Sequence, residues 1–274
     1  MFRMGWNGSL SVCLLTGILM TSGCARQAEV IAHRGASYDA PENTLSAVRL
    51  AWEQGADAVE VDVHLTADHQ LAVIHDADTK RTAGTDWRVS EKTMAQLRTL
   101  DVGRWKAEQF AGQTIPTLEE VLELLPKGKR LFVEIKCKGE ILPYLQKAVE
   151  TSGKRRQIVI ICFDPDVLVQ SKQRMPDIPV YWLVGTEKDK ETGKPIPHSP
   201  ELITFIREKG INGLDVNYEG VDEVFARAVR QAGYDWYVWT VDDCRTAERM
   251  IRLGARGITT NRPGRLKNDC SKER

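Results

Sequence analysis

Two short runs of this 274-residue sequence alternate apolar and charged residues with period two. In Val59-Glu60-Val61-Asp62-Val63 the valines share one face of a strand and the two acids share the other. In Leu131-Phe132-Val133-Glu134-Ile135-Lys136 the same spacing sets Glu134 beside Lys136 and turns Leu131, Val133 and Ile135 the other way. Glu and Asp disfavour strands, and carboxylates side by side repel unless a cation lies between them. Taken alone, the first run reads either as a metal site or as an edge strand with a wet acidic face. Glu134 inside an apolar strand calls for a cation, and Lys136 could be a structural counter-ion for it. Three carboxylates make an all-oxygen donor set suited to one hard divalent ion, Mg²⁺ or Ca²⁺. His33 ends Val30-Ile31-Ala32 and His75 ends Leu71-Ala72-Val73-Ile74. Two histidines flanking a metal suit a general acid and a general base near neutral pH. A lone histidine serves as readily in a core or a cap. His64, His69 and His198 lie in or beside loops and read as solvated.

The elements that must carry these side chains recur with a regular beat. Val30–His33 reads as a strand and Gly35 as a sharp turn. Pro41-Glu42-Asn43-Thr44 opens a helix with Asn43 as N-cap, and Gly55 closes it. The acidic strand follows, completing a β-α-β unit. Only seven residues separate Leu71–His75 from Val63. A parallel crossover needs a dozen or more, so this segment is predicted to fold back as a hairpin. Residues 76–116 are polar and irregular, with a short helix near Glu91–Leu100, and read as an insertion capping the site and lined by Trp87 and Trp105. Further strands are predicted at Leu131–Ile135, Ile158–Cys162, Val180–Leu183, Gly213–Val216, Tyr237–Thr240 and Gly257–Thr260, with helical stripes between them. Leaving out the hairpin, eight parallel strands and seven helices predict an α/β fold, the (β/α)₈ TIM barrel, over residues 28–264. The hairpin and capping insertion follow its second strand. A doubly wound open sheet is the alternative. From Arg262 the chain reads as loose, and residues 265–274 as a charged tail.

In a barrel of this kind chemistry gathers at the carboxyl ends of the strands. There the first strand delivers His33 and Arg34, the second Glu60 and Asp62, and the hairpin His75-Asp76. The third strand delivers Glu134 and Lys136, and the seventh Trp239. Against Arg34 and Lys136 the three carboxylates leave one net negative charge; a divalent ion would make the site net positive. The metal is therefore expected to serve both in binding a phosphodiester anion and in stabilising transition-state charge.

His33-Arg34-Gly35, Pro41-Glu42-Asn43-Thr44, Glu60-Val61-Asp62-Val63, His75-Asp76, Arg81-Thr82, Ile115-Pro116-Thr117-Leu118, Glu134-Ile135-Lys136 and Trp239-Thr240-Val241 together resemble the glycerophosphodiester phosphodiesterase family. The resemblance implies hydrolysis of a glycerophosphodiester to glycerol 3-phosphate and an alcohol. It implies His33 and His75 as the acid/base pair and Glu60, Asp62 and Glu134 as metal ligands. Arg34 and Lys136 would contact phosphate, and Trp239 would form an apolar wall beside glycerol, unless it is simply core. Two departures concern substrate preference: Asn261 stands where the family commonly has Asp, and Asp242 where Asn is usual. Alternatives are a related barrel phospholipase acting on intact lipid, and an inactive lipoprotein that only binds.

Charge is balanced, with Lys+Arg 38 against Asp+Glu 38, which argues against a nucleic-acid partner. Residues 1–24 differ from the rest. A weak positive start, the uncharged run Leu10–Met20 and Thr21-Ser22-Gly23-Cys24 resemble a lipoprotein signal ending at a lipidated Cys24. Ordinary cleavage and a retained anchor are the alternatives. The expected location is exported and membrane-tethered, on the periplasmic or extracellular side. Of the remaining cysteines none forms a CxxC pair, so zinc is not indicated; Cys137 and Cys162 read as buried free thiols. Mass spectrometry of the mature N-terminus should find a lipid-modified Cys24; an unmodified Cys24, or cleavage elsewhere, would remove the anchor.

Overall fold

A computed structural model describes residues 1–2 and 28–270, so Cys24, most of the stretch read as a lipoprotein signal, and the last four residues lie outside the described part. Nine strands form one sheet: β1 Glu29–His33, β2 Ala58–Leu65, β3 Leu71–Val73, β4 Arg130–Ile135, β5 Ile158–Cys162, β6 Val180–Val184, β7 Gly213–Asn217, β8 Asp235–Trp239 and β9 Gly257–Thr260. All but β3 are parallel to their neighbours, and β1 pairs with both β2 and β9, closing an eight-stranded barrel. The predicted hairpin is present: β3 runs antiparallel along β2, with Val63 opposite Val73 and Leu65 opposite Leu71. The helices are α1 Leu45–Glu53, α2 Lys80–Ala83, α3 Met94–Leu97, α4 Leu118–Glu123, α5 Leu142–Ser152, α6 Pro165–Arg174, α7 Glu201–Lys209, α8 Glu223–Gln231, α9 Cys244–Leu253 and α10 Pro263–Asn268.

Period two divides each strand between two apolar environments. Val59, Val61, Val63, Leu131, Val133 and Ile135 pack outward against the helices. Ile31, Phe132, Ile161, Tyr181, Leu183 and Tyr237 fill the barrel. Tyr237 meets Phe132 edge-on at 5.2 Å and Tyr181 at 4.9 Å, and its hydroxyl accepts from the Arg130 guanidinium at 2.8 Å. Edge-to-face pairs contribute about 0.5–1.5 kcal/mol each beyond burial. This aromatic layer fills the barrel below the site and leaves the carboxyl end to hold polar groups.

Four expectations are corrected. The N-cap of α1 is Thr44, whose side chain accepts from Ala47 N–H, while Asn43 sits at φ +58 and turns its amide elsewhere. Residues 76–116 hold the expected short helix, α3, but Trp87 and Trp105 do not line the cavity at the barrel mouth. Val89, Met94, Leu97, Val102 and Ile115 form a small core of their own against Ala72 and Ile74. Trp87 lies under Lys92, and Trp105 is 43% exposed with its indole bonded to the Val102 carbonyl. His64 and His198 are buried, donating to the carbonyls of His75 (3.0 Å) and Asn217 (2.8 Å); of the three histidines read as solvated, His69 is exposed. The stretch after Arg262 is not loose: α10 follows it, and Cys270 is bridged to Cys244 on α9.

Cys137 and Cys162 are free, the first only partly buried. Cys244 and Cys270 stand 26 residues apart in sequence. Closing a loop of this size typically stabilises by about 2–4 kcal/mol. Cys270→Ser is therefore expected to lower the melting temperature of protein prepared under oxidising conditions. An unchanged melting temperature would show that the bridge contributes nothing.

Candidate functional site

The β2–β4 register sets Asp62 opposite Glu134 on adjacent parallel strands. Glu60, Asp62 and Glu134 each offer a carboxylate oxygen within 4.8 Å of the others, and all three are buried. Lys136 stands between two of them, its Nζ 3.7 Å from Asp62 Oδ1 as well as bonded to Glu134. Glu60 Oε2 accepts from Arg34 N–H at 2.8 Å. Asp62 Oδ2 accepts from Asn43 Nδ2 at 2.8 Å and lies 3.2 Å from Arg34 Nε. Glu134 Oε1 accepts from Lys136 Nζ at 2.7 Å. Glu60 Oε1 and Asp62 Oδ1 are buried without a hydrogen-bond partner. Oxygens left unpaired in this way are what a bound hard cation would satisfy, so the donor set fits one.

The charges are finely opposed. Burial, with Asp62 and Glu134 nearby, pushes the Glu60 carboxyl well above its ordinary range. Burial, then Asp62, pushes Glu134 up to about 7. Burial would also raise Asp62, but Arg34 and Lys136 outweigh it and hold that carboxyl low.

The turn after β1 explains why the sequence there is His-Arg-Gly. Arg34 adopts φ +55 and Gly35 φ +81. A Cβ on Gly35 would lie 2.5 Å from the Ala47 backbone. Only glycine lets this turn pack on α1 and aim Arg34 N–H at Glu60.

The two histidines are held differently. His33 Nδ1 donates to Asn261 Oδ1 at 2.8 Å, and Asn261 Nδ2 donates to the Asp242 carboxylate at 2.7 Å. Burial, then Arg34, pushes the His33 imidazole down to about 4. His75 Nδ1 donates to Asp76 Oδ1 at 2.6 Å. Asp76 Oδ2 accepts from Arg81 Nε at 2.6 Å, and Arg81 and Arg34 share Glu42. Burial would raise Asp76, but its bonds from Arg81 and His75 bring it to about 2. The insertion thus reaches the site through Arg81.

These groups surround a cavity of about 210 Å³. His33, Arg34, Glu60, His75, Glu134 and Lys136 line its polar side; Ile161, Phe163, Leu183 and Trp239 line its apolar side. Phe163 meets Trp239 edge-on at 5.6 Å. Asp62 lies just behind the wall, and Cys24 is outside the described residues. Sequence reasoning missed Phe163, the aligning pair Asn261–Asp242, and Asp215, which also faces the cavity. The signal for Asp215 was available: Leu214-Asp215-Val216 has the same alternation as Val59-Glu60-Val61.

Residues 33–265 match the sequence profile of the Glycerophosphoryl diester phosphodiesterase family. The chain belongs to this family. It is thus an enzyme, a phosphoric diester hydrolase. A glycerophosphodiester phosphodiesterase of Caldanaerobacter subterraneus subsp. tengcongensis is 34% identical over 245 residues, covering 87% of this chain and 96% of the relative. Among solved structures, an Oleispira antarctica phosphodiesterase in complex with the product sn-glycerol-3-phosphate is similar with TM-score 0.80 at 27% identity, over 87% of this chain and 95% of that one. A glycerophosphodiester phosphodiesterase from Thermotoga maritima gives 0.70 at 28% identity, over 90% and 99%.

The raised carboxyls carry a stability consequence. Glu134 binds its proton more tightly folded than unfolded, so its contribution is complete below the ordinary value of 4.5 and is lost as pH rises through about 7. The metal-free enzyme should therefore melt at lower temperature at pH 8 than at pH 5. Mg²⁺ or Ca²⁺ should restore stability, and more at pH 8. Melting curves with and without chelator test this; no metal-dependent shift at pH 8 would refute it.

Proposed function

We propose that the enzyme hydrolyses glycerophosphodiesters to glycerol 3-phosphate and an alcohol, with one divalent cation, Mg²⁺ or Ca²⁺, held by Glu60, Asp62 and Glu134. The observation that carries this reading is that two hydrogen-bonded histidines line one small cavity with Glu60 and Glu134, whose cluster with Asp62 keeps two buried carboxylate oxygens without a hydrogen-bond partner. When bound, the cation supplies Lewis-acid polarisation of the phosphoryl group and charge to offset the carboxylates. Arg34 and Lys136 line the same side and orient the phosphate oxygens. Trp239 and Phe163 shield the opposite side from water.

The hydrogen-bond chains support one assignment of the proton-transfer roles. Asp242 accepts only, so Asn261 must turn its Nδ2 toward it and its Oδ1 toward His33. His33 therefore carries its proton on Nδ1 and keeps Nε2 free to take a proton from the attacking hydroxyl. His75 donates Nδ1–H to Asp76, which fixes the orientation of the ring as it delivers a proton to the leaving oxygen. Whether water or the glycerol 2-hydroxyl attacks, these two groups move the protons.

A cavity of about 210 Å³ is smaller than the ~300–1,000 Å³ of drug-sized sites. That size favours a soluble diester over a phospholipid with its tails attached. An intact acid/base pair disfavours a binding-only lipoprotein. The Cys244–Cys270 bridge supports an exported location, where disulfides persist. On that reading Cys24 tethers the enzyme to a membrane, on its periplasmic or extracellular side.

The test is a coupled assay for glycerol 3-phosphate released from glycerophosphocholine and glycerophosphoethanolamine. Full chelation should abolish turnover. His33→Ala and His75→Ala should each lower kcat by roughly 10²–10⁴-fold. Activity surviving chelation would sink the metal role, and unchanged turnover in either variant would sink that histidine's.

A further inference from the structure

Asp215 has no part in the mechanism just described, yet its position is unusual. It is carried on β7, the sixth strand around the barrel, and so lies across the mouth from β2 and its carboxylates. Leu214 and Val216 turn outward to the helices, and Asp215 turns inward. The residue is 1% exposed, faces the cavity, and its Oδ1 is buried without a hydrogen-bond partner. Leu183, Thr259 and Trp239 line the cavity with it, and the Trp239 indole donates to the Asp215 carbonyl at 3.1 Å. Burial, then Glu134, pushes its carboxyl up to about 8, so near neutral pH it can donate as well as accept. A buried polar group without a partner is destabilising, and Asp disfavours strands. The fold gains nothing from this residue that Leu or Val would not supply better. A ligand that completes its hydrogen bonding accounts for it.

The chemistry of that ligand can be narrowed. Phosphate belongs on the other side, with the cations Arg34 and Lys136, whose charge Asp215 cannot supply. A cationic head group wants a fixed anion, which a carboxyl held neutral by burial does not offer. A hydroxyl both donates and accepts, is compact, and suits a floor bounded by Leu183 and Trp239. We propose that Asp215 binds a free hydroxyl of the substrate's glycerol unit and thereby selects diesters in which that hydroxyl is not acylated. This rests on the phosphodiesterase reading above and adds its specificity determinant. The substrate would span the mouth, with phosphorus near β2 and β4 and the glycerol hydroxyl end near β7 and β8.

The experiment compares wild type, Asp215→Leu and Asp215→Asn in the metal-loaded enzyme. Calorimetry measures the affinity for glycerol 3-phosphate and for inorganic phosphate, and kinetics give KM and kcat on glycerophosphoethanolamine. Removing the partner of a bound hydroxyl should weaken glycerol 3-phosphate binding and raise KM by about 10–100-fold in Asp215→Leu. Inorganic phosphate should bind all three alike, because it does not reach β7. Asp215→Asn, which still donates and accepts, should recover most of the loss. Equal weakening of both ligands in a folded Asp215→Leu would show a merely structural role and overturn the proposal, as would unchanged affinity for glycerol 3-phosphate. Absence of turnover by the wild type would overturn the phosphodiesterase reading instead, while the calorimetric comparison would still decide the role of Asp215.

Discussion

Mutual repulsion among three buried carboxylates is the constraint around which the barrel mouth is built. Charges this close and this dry cost several kcal/mol apiece unless neutralised. Among the described residues the protein answers with Arg34 and Lys136. Arg34 approaches Glu60 through its backbone and Asp62 through its side chain, and Lys136 covers Glu134. Each contact leaves an oxygen of the cluster turned inward. The left-handed turn at Arg34, the glycine behind it and the amide of Asn43 all serve to hold this half-compensated state. Side chains that only stabilised a fold would have finished the neutralisation. These stop short of it, and leave room for a divalent charge.

The barrel itself was largely legible because its signal is local. Period-two runs at regular intervals mark the strands, and the seven-residue gap after Val63 rules out a parallel crossover there. The clustering of Glu60, Asp62 and Glu134 was legible through strand count alone, since adjacent parallel strands bring like positions together. What escaped depends on long-range partners. His64 looks like a loop residue in sequence, yet shares the inner face of β2 and bonds the backbone of His75. Asn43 has the composition of a helix cap, but Asp62 competes for its amide and wins. The core of the 76–116 insertion is spread over residues too far apart to show periodicity. The last helix is followed by a disulfide whose pairing no spacing could reveal.

The two histidines show how one side-chain type is given two characters by what stands behind it. An amide, itself pinned by a carboxylate, stands behind His33; a carboxylate, itself clamped by an arginine, stands behind His75. The second chain includes Arg81 from the insertion, so a segment with its own small core finishes the alignment of a group on the hairpin. The insertion therefore helps to hold His75 in place through Arg81 and Asp76.

The direction of β1 has a further consequence for how the enzyme would sit. The strand begins at Glu29 and ends at His33, so the chain enters at the face opposite the cavity. An anchor at Cys24 would leave four residues before Glu29, a leash of about 15 Å even when fully extended. So short a leash would press the closed base of the barrel toward the bilayer and point the mouth away from it. An enzyme so oriented would fish in the aqueous space above the membrane and be turned away from the lipids to which it is tied.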